Sequence, residues 1–221
     1  MGTITRTFAN NITTSGVFKP TAFNNASFDN VTAVPEGAVE GGNMVLLSTQ
    51  TASASASISF TSGIDSTYKE YMFIFNNCHP STSTVDISFN GSTDGGSNYN
   101  VTKTSTAFQA SHEESDGGTE FTYNTDRDLA QSTSNQLFSL QIGNDNDQSV
   151  SGYLHLFNPS DTTFVKHYIS RVNGYNAAGG GYSQDFYVAG YFNTQSAINA
   201  IRFSFNSGNI DDGTIQMFGI L

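Results

Sequence analysis

Residues 69–77 read KEYMFIFNN, and this stretch decides the fold class. In an extended chain, Tyr71, Phe73 and Phe75 point to one face and Ile74 points to the other. Aromatic and β-branched side chains pack well on a pleated sheet, and strands that are apolar on both faces lie inside layered structures. The stretch therefore predicts a central β-strand with both of its faces buried.

Similar strand-like runs lie on either side of this stretch, separated by clusters of Gly, Asn, Asp, Ser and Pro that favour turns. The predicted strands are residues 44–49, 56–61, 69–77, 85–90, 99–108, 136–142, 150–157, 164–173, 184–192, 200–206 and 213–220. Many short strands at such spacing are typical of a sandwich. The sequence predicts an all-β fold, in which residues 44–221 form a jelly-roll-like β-sandwich that an extended N-terminal arm precedes.

Residues 111–135 interrupt this pattern. Six Asp and Glu residues lie between positions 113 and 128, and the alternation of apolar and polar residues is weakest here. We predict a long acidic loop. Cys78 is the only cysteine, and its apolar surroundings predict a buried, unreactive thiol.

Residues 1–43 have a different composition, rich in Asn, Thr, Ala and Gly, and Pro20 and Pro35 break any continuous element. Such a segment cannot bury enough apolar surface to offset its own ordering entropy. It is either disordered or ordered by lying across another chain, and its recurring apolar residues favour the second alternative. The predicted anchors of this arm are Ile4, Phe8, Ile12, Phe18, Phe23 and Phe28. An arm of this kind needs partner chains and therefore predicts an oligomer.

The charge distribution excludes several partners. Eight Lys and Arg against 19 Asp and Glu give a net charge of −11, and the basic residues are scattered singly along the chain. No basic stripe is available for a row of phosphates, so we expect no nucleic-acid binding. A net negative body is also repelled by anionic membrane surfaces, and no apolar run resembles a signal peptide or a membrane span.

Motifs for catalysis and cofactor binding are missing from the sequence. It has no G-x-S-x-G motif, no H-E-x-x-H motif and no Cys/His cluster, so we expect neither an enzyme nor a cofactor. Asp145 and Asp147 are weak calcium candidates in an Asx-rich turn, and no metal site is predicted. Exposed tyrosines beside polar turns could contact a glycan, and the candidates are Tyr99, Tyr175 and Tyr182.

Four segments resemble proteins encoded by tailed bacteriophages, especially marine ones. They are MGTITRTFAN at residues 1–10, ISFTSGIDSTYKEY at residues 58–71, GYLHLFNP at residues 152–159 and SGNID at residues 207–211. A further segment, FNNASFDNVT at residues 23–32, is similar to stretches near the attachment ends of phage fibre proteins.

The resemblance implies a structural protein of the virion surface that is assembled in the host cytoplasm. Its implied place is a tail fibre that binds a receptor or a head decoration, and its arm would contact capsid, tail or portal-adjacent proteins. Because phage fibres and capsid decorations are commonly trimers, the resemblance also implies a homotrimer. A glycan-binding module, directed at a host-surface glycan, is the alternative, and a capsule depolymerase comes third.

Overall fold

The computed structural model describes residues 44–221, which fold into thirteen antiparallel strands. The strands are β1 (Met44–Thr51), β2 (Ile58–Phe60), β3 (Glu70–Pro80), β4 (Ile87–Ser92), β5 (Lys103–Glu113), β6 (Thr119–Tyr123), β7 (Leu129–Ser132), β8 (Gln136–Leu137), β9 (Val150–Phe157), β10 (Lys166–Asn176), β11 (Tyr182–Phe192), β12 (Ala200–Phe205) and β13 (Ile210–Ile220). None of these residues belongs to a helix that could span a membrane. The predicted arm and its six anchors lie outside the described residues.

Two sheets form a sandwich whose central topology is a jelly roll. The larger sheet has the order β1-β13-β3-β9-β10-β11-β5-β6, with β7 also pairing with β5, and the smaller has the order β2-β12-β4-β8. The first strand thus pairs with the last, and the second strand pairs with the last but one. This wrapping of the chain around itself gives eight jelly-roll strands, β1 to β4, β8, β9, β12 and β13. The all-β, jelly-roll-like prediction is confirmed for residues 44–221.

Five additional strands widen the larger sheet beyond the jelly roll. β10 and β11 extend it from β9, and β5 to β7 complete it on the far side of β11. The predicted acidic loop is wrong in part, because β5 continues to Glu113 and β6 and β7 occupy residues 119–123 and 129–132. The acidic residues lie mainly in the turns and on the exposed face of this excursion, and β6 and β7 are held by backbone pairing with β5.

The core between the sheets consists largely of interlocking aromatic rings. Phe203 of β12 packs edge-on or tilted against Phe73 and Phe75 of β3, with ring centroids 5.3 and 5.0 Å away. Phe89 of β4 meets Tyr168 of β10 at 5.0 Å. Edge-to-face pairs of this kind add to the free energy that burial itself contributes. The smaller sheet therefore packs against the inner face of the larger one, including the additional strand β10.

The interior also holds polar groups that the sequence pattern conceals. Lys103 is fully buried, and its Nζ donates to Asn90 Oδ1 and to the Val101 carbonyl oxygen, both at 2.8 Å. Burial lowers the pKa of Lys103 to about 7. Cys78 is buried as predicted, and burial raises the pKa of its thiol to about 12.

Strand β3 confirms half of the prediction that opened the sequence analysis. It is central, since β13 and β9 flank it, and Tyr71, Phe73 and Phe75 are buried in the core. Met72 and Ile74 point to the opposite side and are only partly buried. The prediction of two buried faces is therefore wrong for residues 44–221 as a single chain.

Candidate functional site

Several of the large exposed apolar side chains of the described residues, among them Leu46, Tyr153 and Ile169, lie on the outer face of the larger sheet, the side that points away from the smaller sheet. Burial alternates strictly along β10, where Tyr168 and Val172 are buried and Ile169 and Arg171 between them are exposed. The same alternation runs through β3, β11 and β5. Two cross-strand rows of side chains define this outer face.

The first is an aromatic row in which five side chains from five adjacent strands stand opposite one another. Strand pairing aligns them in the order Tyr153, Arg171, Tyr187, Phe108 and Tyr123, from β9 through β10, β11 and β5 to β6. Side chains opposite each other in an antiparallel sheet lie about 5 Å apart and interact directly. The row is therefore a continuous strip of rings and one guanidinium group.

Stacking and charge fix the geometry of this row. The rings of Phe108 and Tyr187 are stacked, with centroids 4.6 Å apart and planes within 6° of parallel. The Arg171 guanidinium, which neighbours Tyr187 in the row, lies over its ring, 5.0 Å from the Tyr187 centroid. Arg171 also donates to both carboxylate oxygens of Asp185, from Nε at 3.0 and 3.1 Å and from Nη2 at 2.6 Å. This bidentate hydrogen bonding lowers the pKa of Asp185 and raises that of Arg171.

The second row is apolar and runs parallel to the first across the centre of the sheet. In register from β1 to β10 it contains Leu46, Phe218, Met72, His155 and Ile169. Leu46 and Ile169 are about half exposed, at 51% and 49%. His155 Nδ1 pairs with the carboxylate of Glu70, which stands on the neighbouring strand. The row therefore presents little uncompensated charge.

A polar cleft at one end of the sandwich is the second feature that could hold a ligand. It encloses about 690 Å³ and is lined by Asn76, Asn77, His79, Asn146, Asp147, Gln148, Ser149, Asp212, Gly213 and Thr214. Within the described part of the chain, no three His, Cys, Asp or Glu side chains converge as metal ligands. Of the two calcium candidates, Asp147 lines the cleft, and Asp145 closes a turn with Gln148.

The predicted glycan contacts lie in three separate places. Tyr182 is opposite Asn176, and Tyr175 is opposite Ser183, so the two tyrosines project from opposite faces of the sheet. Tyr99 is distant from both, with the Arg202 guanidinium 4.3 Å from its ring centroid. The structure does not unite these three residues into one platform. Their contact with a glycan stays a prediction for each position separately.

The aromatic row was missed because no single stretch of sequence contains it. Its signal was present in each strand as an aromatic residue at a solvent-facing position, such as Tyr153 in β9 and Tyr187 in β11. Only the register of five strands brings these residues together. Chemically, the row can stack against flat or apolar groups, and Arg171 and Asp185 can form hydrogen bonds beside them.

Comparisons of this chain with protein-family models, curated proteins and solved structures found no match. The interpretation of the outer face therefore depends on its geometry and chemistry.

Proposed function

We propose that this chain is a non-enzymatic structural protein displayed on the surface of a tailed-bacteriophage particle, where it forms homotrimers. The observation that carries the proposal is the outer face, a broad apolar surface without a deep cleft. Such a surface is suited to assembly with other protein surfaces, since large exposed apolar patches are typical of interaction sites. The four phage-like segments of the sequence supply the setting.

In this proposal residues 1–43 attach the jelly roll to the particle. Their apolar residues would dock on capsid, tail or portal-adjacent proteins, and the jelly roll would project outward. Both a tail position, with a receptor-binding role, and a head position, with a decorating role, agree with a short arm and a compact body.

Electron microscopy of particles labelled with a gold-conjugated antibody against residues 44–221 tests the proposal. We expect gold at one defined position, on either the head or the tail. In particles reconstituted with a Phe8→Ser, Phe18→Ser double variant the label should be lost, while the circular dichroism spectrum of the free protein stays unchanged. The matched control, Thr13→Ser, should label as the parent does. Unlabelled particles from cells that produce the protein would refute the proposal.

Glycan binding is the second candidate function, and the aromatic row is the observation that favours it. Rings that stack on sugar faces, with an arginine and a carboxylate beside them, can recognise hydroxyl groups as well as apolar ring surfaces. Binding to purified host-surface polysaccharide, measured by calorimetry, should then fall in Tyr153→Ala. Loss in Tyr175→Ala or Tyr182→Ala instead would locate the glycan at the positions predicted from sequence.

A further inference from the structure

We infer that the outer face of the larger sheet is the interface between copies of this chain. The inference rests on the proposed trimer and adds the surface through which its subunits meet. It commits to a second copy of the chain as the occupant of the face. Four observations on the described residues support this occupant.

The size of the outer face fits a subunit interface. The face comprises seven adjacent strands, in the order β1, β13, β3, β9, β10, β11 and β5. With neighbouring strands about 4.8 Å apart, they span about 30 Å. About seven residues of each strand at about 3.3 Å give about 23 Å in the other direction. The product, about 700 Å², is the area that each chain would bury in all its contacts through this face, and it is close to the ~800 Å² that each partner loses in an interface of standard size.

The charge distribution favours this face for contact between identical chains. Residues 44–221 carry six Lys and Arg against 16 Asp and Glu, so two copies repel each other through most of their surfaces. On the outer face, Arg171 pairs with Asp185 and His155 pairs with Glu70. Copies can therefore approach most closely through a surface on which the charges are already paired.

The composition of the face also resembles the core of a protein interface. Tyr, Phe, Met and Arg are enriched in such cores, and unpaired acids are depleted. Met72 and Ile74 add to this argument, because strand β3 has the sequence of a strand that is buried on both sides. Contact with a second copy would complete the burial that a single chain leaves unfinished on this side.

The two halves of the outer face differ chemically, so one half of a copy can pack against the unlike half of another copy. The half formed by β1, β13 and β3 carries Leu46, Phe218 and Met72 and no Lys or Arg. The half formed by β10, β11 and β5 carries Arg171 and the aromatic row. Contact of one half with the unlike half of another copy occurs both in a ring and in a two-fold pair, so the number of copies comes from the proposed trimer and is measured below.

Sedimentation velocity of the full-length protein and of two variants tests this interface. The full chain should sediment as a trimer of about 71 kDa, three times the 23.7 kDa of one chain. Ile169→Asp and Leu46→Asp each place an unpaired charge on the apolar row. In each variant, the protein concentration at which half of the trimer has dissociated should rise by at least about 100-fold. Every tenfold rise in this concentration corresponds to ~1.4 kcal/mol. The charge-matched control, Ser57→Asp beside the smaller sheet, should remain trimeric.

Each other outcome has a definite meaning. A monomeric full chain, or two folded variants that stay trimeric, would overturn the inference. Loss of polysaccharide binding in variants that stay trimeric would assign the face to a glycan. A monomeric full chain whose outer face is protected from hydrogen exchange would assign it to residues 1–43. A dimer that dissociates in both variants would support the surface and overturn the trimer.

Labelling of particles separates this inference from the proposed function. Monomeric variants that still label particles would support display on the particle and show that it does not require the trimer. A trimer that never labels particles would support the interface between copies and contradict the location on a phage particle.

Discussion

Lys103 predicts a specific dependence of stability on pH. Its side chain is fully buried beside Asn90, and no carboxylate among residues 44–221 forms an ion pair with it. Burial lowers its pKa from 10.5 to about 7 in the folded protein. Between these two values the unfolded chain holds a proton that the folded chain has released. The free energy of unfolding contributed by Lys103 should therefore rise with pH across this window and be lost as pH falls towards 7.

The expected magnitude follows from the separation of the two pKa values. Half of the Lys103 side chains in the folded protein are protonated at about pH 7, and almost none at about pH 9. Integration over this interval gives about 2 kcal/mol, and the full window up to 10.5 gives about 4 kcal/mol. Tyr168 and Cys78 act in the opposite direction above about pH 9, because burial raises their pKa values. The contribution of Lys103 must therefore be measured as the difference in the free energy of unfolding between the parent protein and a variant without this amine.

Urea denaturation of the parent and of Lys103→Met at about pH 7, 8 and 9 isolates this difference. The variant leaves Asn90 Oδ1 and the Val101 carbonyl oxygen without their donor, which costs about 1–3 kcal/mol at every pH. The parent should gain about 2 kcal/mol relative to the variant between pH 7 and 9. Lys69→Met, at an exposed position, serves as the control and should follow the parent. Parallel curves for the parent and Lys103→Met would refute the reasoning.

Two further substitutions test the interior. Asp86 is buried and pairs with Arg127 at 2.8 Å, so Asp86→Asn should lower the free energy of unfolding by about 3–5 kcal/mol by leaving Arg127 without its partner. The exposed Asp126→Asn should change it by less than about 0.5 kcal/mol in the same urea titration, and equal effects would contradict the role of the pair. Phe203→Ala should cost about 3–5 kcal/mol in thermal and urea unfolding, because Phe203 is the ring on which several core aromatics converge. Phe164→Ala, at a side chain that is 68% exposed, should cost far less, and a comparable loss would mean that the core is arranged differently.

The alternation of apolar and polar residues was sufficient to predict most strands. Residues 150–157, for example, were predicted as a strand and form β9 with the same bounds. The short strands β6 and β7 were not predicted, because their side chains are largely exposed and backbone pairing with β5 holds them. Exposed edge strands carry no burial pattern that a single sequence could reveal.

Pairing between distant strands explains the other differences between prediction and structure. The aromatic row depends on the register of β9, β10, β11, β5 and β6, which no local pattern specifies. In the same way, the burial of Lys103 on β5 depends on pairing with β11, which lies far away in sequence. This pairing places Lys103 opposite Phe192 on the inner face of the sheet. Composition alone assigns such a lysine to the surface.

The additional strands of the larger sheet connect these observations to the proposed interface. A jelly roll is complete with eight strands, and extending it by β10, β11 and β5 requires the burial of Lys103 and Lys166. Buried amines are costly for stability, although the same strands also bury Tyr168, Phe186 and Phe192 in the core. On the outside of the sheet, the additional strands provide the aromatic surface, since Arg171 lies on β10 and the stacked rings of Phe108 and Tyr187 lie on β5 and β11. An extension that creates a flat aromatic surface outside is the arrangement expected if contact through that surface is part of what the widened sheet contributes.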